Sequence, residues 1–245
     1  RTVPEPSEVS ADVTLKLDDN TIELLIATGF AEVWLAKEGH DGKVFINFLH
    51  KIELPLIYVL YGAMLAGVDA VIVGAGNPGA LPASCRMLAK HATVRHEISV
   101  RYRKPGEAFS LLFAPRQVAG GKFAARELAT PAFLAIVSLE RLAQTLADSE
   151  SAAPDGFIIE HHDAGGHNAN PLGPLTKDSL GQPVYGAKDE PDIAAIRAIG
   201  KPFWMAGGYA SKPKLQEALA AGANGVQVGT LFALSEESGM KPDYR

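Results

Sequence analysis

The stretch Glu160-His161-His162-Asp163-Ala164-Gly165-Gly166-His167-Asn168 directly follows an apolar run, Gly156–Ile159. Its types suggest proton chemistry beside a flat ligand. Two glycines let a loop pass close to a planar group. The histidine after them, His167, titrates near neutrality and suits a general base that takes a proton from an acidic carbon. A structural histidine is the plainer reading of the same residue. Three histidines and an aspartate also raise the question of a metal ion. Adjacent side chains on a strand point to opposite faces, so His161 and His162 would share an ion only if the chain turned there. The expectation is therefore no metal.

Two further stretches follow the pattern of apolar strand, glycine turn, helix. They are Ala206-Gly207-Gly208-Tyr209 and, about twenty residues on, Gly225-Val226-Gln227-Val228-Gly229-Thr230. Glycine lets a backbone approach a phosphate, and free N–H groups at a turn supply positive potential without Lys or Arg. Thr230 adds a hydroxyl donor. Each turn alone is commonplace, because glycines close most strand-to-helix connections. The two in tandem near the end of the chain point to phosphate binding, as in the last loops of (β/α)₈ barrels.

The elements that must hold these residues are read from hydrophobic runs. Seven stand out: Ala31–Ala36, Val44–Phe48, Ala70–Val73, Phe133–Val137, Gly156–Ile159, Phe203–Ala206 and Gly225–Val228. Near-continuous apolar strands separated by helix-length segments indicate a parallel sheet buried on both faces. Helical spacing appears over Pro55–Gly67, Leu139–Ala147 and Ser211–Ala221, the last opened by a Ser cap with Pro213 and closed by Gly222. Residues 93–114 read as two extended pieces about the turn Lys104-Pro105-Gly106, an inserted hairpin. Residues 168–192 are irregular and polar, the composition of a lid or binding loop. Within it Tyr185, Lys188 and Asp189 would reach substrate, although Asp189-Glu190-Pro191 is equally a helix start. Trp204 reads as core. Residues 1–21 read as irregular. The expectation is one α/β domain over residues 1–245, a (β/α)₈ barrel that lacks its first strand.

Composition bounds the rest. Of 245 residues, 47% are apolar and 21% charged, which excludes disorder. A net charge of −5 without a basic run argues against nucleic acid. The lone Cys85 excludes an internal disulfide and reads as a small buried hydrophobe. The most apolar stretch, Leu54–Val73, is interrupted by Pro55, Gly62, Gly67 and Asp69, so it reads as a buried helix and strand instead of a membrane span. Nothing at the start of the chain resembles a signal peptide, and a soluble cytoplasmic protein is expected.

Glu-x-x-x-Ala-Gly-Gly-His at residues 160–167, PFWMAGGYAS from Pro202, and GVQVGTLFALSEES from Gly225 together resemble the nitronate monooxygenase (2-nitropropane dioxygenase-like) family. Val44–Asn47 and LYGAMLAGVDAVIVGAGNP (Leu60–Pro78) resemble the same family. The resemblance implies an FMN-dependent flavoprotein monooxygenase on a TIM barrel. It would place Gly207, Gly208, Gly229 and Thr230 at the FMN phosphate, Asn47 and Gln227 near the flavin ring, and Gly165 and Gly166 as the wall beside it. His167 would be the catalytic base. On the residues alone, Asn47 serves equally to cap a strand end, and Gln227 to fill the barrel. The implied substrates are a nitronate or nitroalkane and O2, with no nucleic acid and no membrane. Two alternatives stand beside this. One is an NAD(P)H-dependent enoyl or quinone reductase of the same barrel type. The other is a non-catalytic truncated barrel that binds a phosphate ligand or a partner chain. Open strand edges in such a barrel would suit a homodimer.

Overall fold

Six of the seven apolar runs are strands in the computed structural model, which describes residues 12–151, 153–165 and 169–244. Ala31–Ala36 is the exception. It forms the last turns of helix α1 (Asp19–Ala36), whose N-terminus is capped by Asp18, with its carboxylate accepting the Thr21 N–H at 2.9 Å. The run is apolar without being buried. Val33 is covered, whereas Trp34 and Leu35 are 56% and 63% exposed, the one-sided pattern of a helix.

The chain divides into two compact units. The first holds the chain through Val71 together with Ala80–Pro131; the second holds Ile72–Gly79 and everything from Ala132 on.

In the first unit α1 packs against α2 (Glu53–Leu65), a helix buried on nearly every side. Their approach depends on two glycines. A Cβ on Gly29 would fall 2.1 Å from the Val59 carbonyl oxygen, and one on Gly62 would fall 2.0 Å from that of Ile26. The stretch Leu54–Val73 is thus a buried helix followed by a buried strand, and among the described residues no helix is long and apolar enough to cross a membrane. Strand β2 (Phe45–Leu49) follows α1. Asp69 anchors the start of β3 (Ala70–Gly74): its carboxylate pairs with Lys37 at 2.6 Å and Lys43 at 2.8 Å, and accepts the Val44 N–H. These three partners hold the Asp69 carboxyl well below the usual range.

Helix α3 (Leu81–Ala89) starts with Pro82 in its first turn and buries Leu81, Cys85 and Leu88. The expected hairpin is present. Strands β4 (Val94–Ile98) and β5 (Ala108–Phe113) pair antiparallel, Val94 opposite Phe113. Residues 12–21, read as irregular, instead form β1 (Asp12–Leu15), parallel to β5, and the opening of α1. Residues 1–11 lie outside the described residues.

The second unit carries the parallel sheet. Its strand order runs from the end of β3 through β6 (Ala132–Val137), β7 (Gly156–Glu160) and β8 (Phe203–Ala206) to β9 (Gly225–Gln227). Strands β6 to β9 are parallel in register, with Leu134 beside Gly156, Ile158 beside Trp204, and Trp204 beside Gly225. Alternate side chains fill two separate cores. Val137, Phe157, Ile159, Phe203 and Met205 pack against α4 (Glu140–Ala147), α5 (Ile193–Ala198) and α6 (Lys212–Ala220). Leu134, Ile158 and Ala206, with Trp204 against them, fill the opposite face. Burial on both faces explains the near-continuous apolar strands. A short helix, α7 (Thr230–Ala233), follows β9.

Candidate functional site

Strands β7, β8 and β9 end at one cleft of about 320 Å³, within the roughly 300–1,000 Å³ of small-molecule sites. The glycines after β8 shape one wall. Gly207 and Gly208 adopt φ of +87° and +73°, left-handed values that L side chains rarely take. A Cβ on Gly207 would also fall 2.7 Å from the His161 carbonyl oxygen, so the turns after β7 and β8 close on each other only because it is glycine. Gly165 plays the same part against α7: its added Cβ would lie 2.2 Å from the Thr230 hydroxyl oxygen. Gly229 forms the N-cap of α7, and with Thr230 and Gln227 it lines the cleft. The sequence-predicted Gly165, Gly207, Gly208, Gln227, Gly229 and Thr230 thus come together.

Asn47 lies in the first unit, exposed on β2. Gly166 and His167 lie outside the described residues.

Gln227 supplies the most telling atom. Its side-chain oxygen is buried with no hydrogen-bond partner among the described residues, and its residue lines the cleft. A buried polar atom left unpaired is costly, and a polar ligand edge would satisfy it. The cradle leaves open space at Gly229, where nothing lies within 4 Å of an added Cβ, and it holds a polar group awaiting a partner. Those features fit a phosphorylated planar cofactor.

Glu160, quoted in the sequence without a role, ends β7 and lines this cleft along with two smaller cavities. Burial pushes its carboxyl above the ordinary value. A carboxylate closing a buried strand was the available signal.

The histidines depart from expectation. The chain turns at His162-Asp163, so both rings lie side by side, centroids 4.0 Å apart, and face Glu190. The His161 Nε2–H donates to Glu190 Oε2 at 2.9 Å and the His162 Nε2–H to Oε1 at 3.0 Å. The argument that adjacent residues would diverge holds on a strand, and these have left the strand. Hydrogen bonds from His162 and His161 hold the Glu190 carboxyl below its usual range.

The loop of residues 169–192 is more built than its composition suggested. Tyr185 stacks on His162 at 4.4 Å and donates its hydroxyl to the Ala169 carbonyl at 2.8 Å. Asp189 is buried, accepting the Leu172 N–H at 2.7 Å and the Gly186 N–H at 2.8 Å; Lys188 bonds the Leu172 carbonyl. These three side chains serve the loop, and the helix start belongs to Asp192, which caps α5. A larger cavity lies elsewhere, a 760 Å³ cleft of the first unit lined by Ile26, Phe30, Leu65 and Phe123, which carries none of the candidate residues.

Glycine turns at the C-terminal ends of parallel strands are where α/β folds commonly hold phosphate-type ligands. The particular family follows from comparison. Residues 95–244, more than half of the chain, match the family model described as nitronate monooxygenase, and the chain belongs to that family, whose members are FMN-dependent flavoproteins. Among solved structures, a point mutant of FabK from Thermotoga maritima is similar with a TM-score of 0.51 and 20% identity, over 91% of this chain and 61% of that one. FabK from the same organism gives 0.47 and 18%, over 91% and 64%. The first likeness shows a shared fold, and the chain spans about three fifths of that protein's length. No curated protein matches.

Proposed function

We propose that the chain is the FMN-binding part of a (β/α)₈-barrel oxidoreductase that oxidises alkyl nitronates or nitroalkanes with O2 to a carbonyl compound and nitrite. The observation that carries this reading is the cradle at the ends of β7, β8 and β9, with the Gln227 oxygen buried and unpartnered inside it. Backbone N–H groups of Gly207, Gly208 and Gly229 and the Thr230 hydroxyl would hold the phosphate, and Gln227 would meet the edge of the ring system. Bound FMN would supply the redox chemistry; the protein supplies position and electrostatics. By the family resemblance, Gly165 and Gly166 would stand beside the flavin. His167 takes the α-proton of a nitroalkane, or orients a nitronate already formed.

Titration of the purified chain with FMN, followed by visible absorbance and fluorescence, tests the reading. Saturable binding with a structured flavin band supports it, and nitronate-dependent O2 uptake then tests the substrate. Replacing His167 by Ala lowers turnover about 10²–10⁴-fold if it is the base. Absence of saturable FMN binding overturns the assignment. A second reading, an NAD(P)H-dependent flavin reductase, draws on the same cradle; rapid anaerobic bleaching of the bound flavin by NADH or NADPH would select it.

A further inference from the structure

His161, His162 and Glu190 form a compact donor set beside the cleft. One ligand atom from each lies within 4.8 Å of the others. Both imidazoles present Nε2 to the same carboxylate, at 2.9 and 3.0 Å. Donors around a tetrahedral zinc-class ion, bound at about 2.0–2.2 Å, stand roughly 3.3 Å apart. The two imidazole-to-carboxylate separations therefore need to open by only a few tenths of an ångström.

A second observation concerns the other side of each ring. Asp163 Oδ2 lies 3.3 Å from His161 Nδ1, and Asp163 Oδ1 lies 3.4 Å from His162 Nδ1. Metal-binding histidines characteristically present their second nitrogen to a carboxylate, which fixes tautomer and ring orientation. One aspartate is placed to do so for both rings. In the ion-free arrangement the His161 Nδ1 accepts the Asp163 N–H at 3.2 Å, and its Nε2 carries the proton given to Glu190. An ion at Nε2 displaces that proton, and the neutral ring then carries its hydrogen on Nδ1, toward the Asp163 carboxylate.

The surroundings pre-order the rings. His161 and His162 side chains are only 19% and 22% exposed, and Tyr185 stacks on the His162 ring within 9° of parallel. Glu190 is 52% exposed, so the set opens to water on one side. Two imidazoles and one carboxylate with an open position suit a borderline divalent ion such as Zn²⁺ or Co²⁺ over the oxygen-seeking Mg²⁺ and Ca²⁺.

We propose that His161 Nε2, His162 Nε2 and the Glu190 carboxylate bind one zinc-class divalent cation, with Asp163 orienting both rings. Such an ion bridges the end of β7 to residue 190 and so fastens the intervening loop at its far end. The proposal does not depend on the flavin reading.

The test is metal binding by the chelator-stripped chain without FMN. Zn²⁺ is titrated calorimetrically, and Co²⁺ by its visible d–d absorption. The expected result is one saturable equivalent that excess Mg²⁺ does not displace. Asp163→Asn should weaken binding about 10–100-fold, the usual cost of losing an outer-shell partner. His161→Ala, His162→Gln and Glu190→Gln should each weaken it further, with far-UV circular dichroism unchanged. Saturable binding that survives both His162→Gln and Glu190→Gln overturns the proposal, as does the absence of saturable Zn²⁺ binding in the parent chain.

Discussion

Glu160 and Asp69 are carboxyls with opposite fates. Glu160 closes a run of four buried residues, and desolvation raises its pKa above the ordinary 4.5. A raised carboxyl contributes stability in its protonated form. That contribution is present below about pH 4.5 and is lost as pH rises through the folded value. Glu160→Gln removes the ionisation, so the variant should gain on the parent as pH rises from 4 to 8, and the gap should flatten at the acid end. Urea unfolding across that range checks the sign; a parent that gains on the variant with rising pH contradicts it. Asp69 is lowered by Lys37 first, then Lys43 and the Val44 N–H. Its contribution is present above its unfolded value of 3.8 and fades as pH falls toward the depressed one. At neutral pH Asp69→Asn should cost about 1–2 kcal/mol, given two charged partners and one backbone donor in a partly covered setting. Below pH 3 the difference should shrink.

At the scale of elements, the contact of α1 with α2 rests on two missing side chains. Gly29 and Gly62 each bring a helix face against a carbonyl of the other helix, and backbone cannot move aside as a flexible side chain can. Gly62→Ala should destabilise by at least the roughly 1–3 kcal/mol of an overpacked core. Gly186→Ala is the control: nothing lies within 4 Å of its added Cβ, and its φ of −147° suits any residue. Denaturant midpoints compare the two, and equal midpoints would refute the argument. The sequence announces β6, β7 and β8 because both faces of those strands are buried, so every residue but the closing Glu160 is apolar and no period is needed to find them. The run at Ala31–Ala36 misleads for the converse reason. Trp34 and Leu35 are apolar and exposed, and a six-residue window cannot separate a helix stripe from a strand. The glycine turns were readable because two of them recur in tandem after apolar strands; one alone closes most strand-to-helix connections. The facing of Asp163 and Glu190 onto the histidine pair was not. It depends on the turn at His162 and on a loop that returns Glu190 from 28 residues away in sequence.

For the molecule as a whole, the question is which of its cavities takes the flavin. The larger cleft belongs to the first unit and is mainly apolar, with Glu23, Lys122 and Arg126 in its lining; the smaller belongs to the second unit and offers glycine backbone and the Gln227 amide oxygen. Size favours the first, chemistry the second. A phosphate needs N–H donors held close, and a backbone without Cβ atoms meets that need better than long side chains lining an apolar cleft. Ligand binding stabilises the folded state by RT ln(1 + [L]/Kd), about 2.7 kcal/mol at a hundredfold excess over Kd. That stabilisation should appear first as slower amide exchange where the ligand closes the backbone. Hydrogen-exchange mass spectrometry with saturating FMN should therefore show protection in peptides covering residues 160–165, 206–209 and 227–231. Peptides covering residues 23–30 and 118–128 should exchange as before. Protection confined to the latter pair would move the flavin to the apolar cleft and leave the glycine turns with a purely structural task.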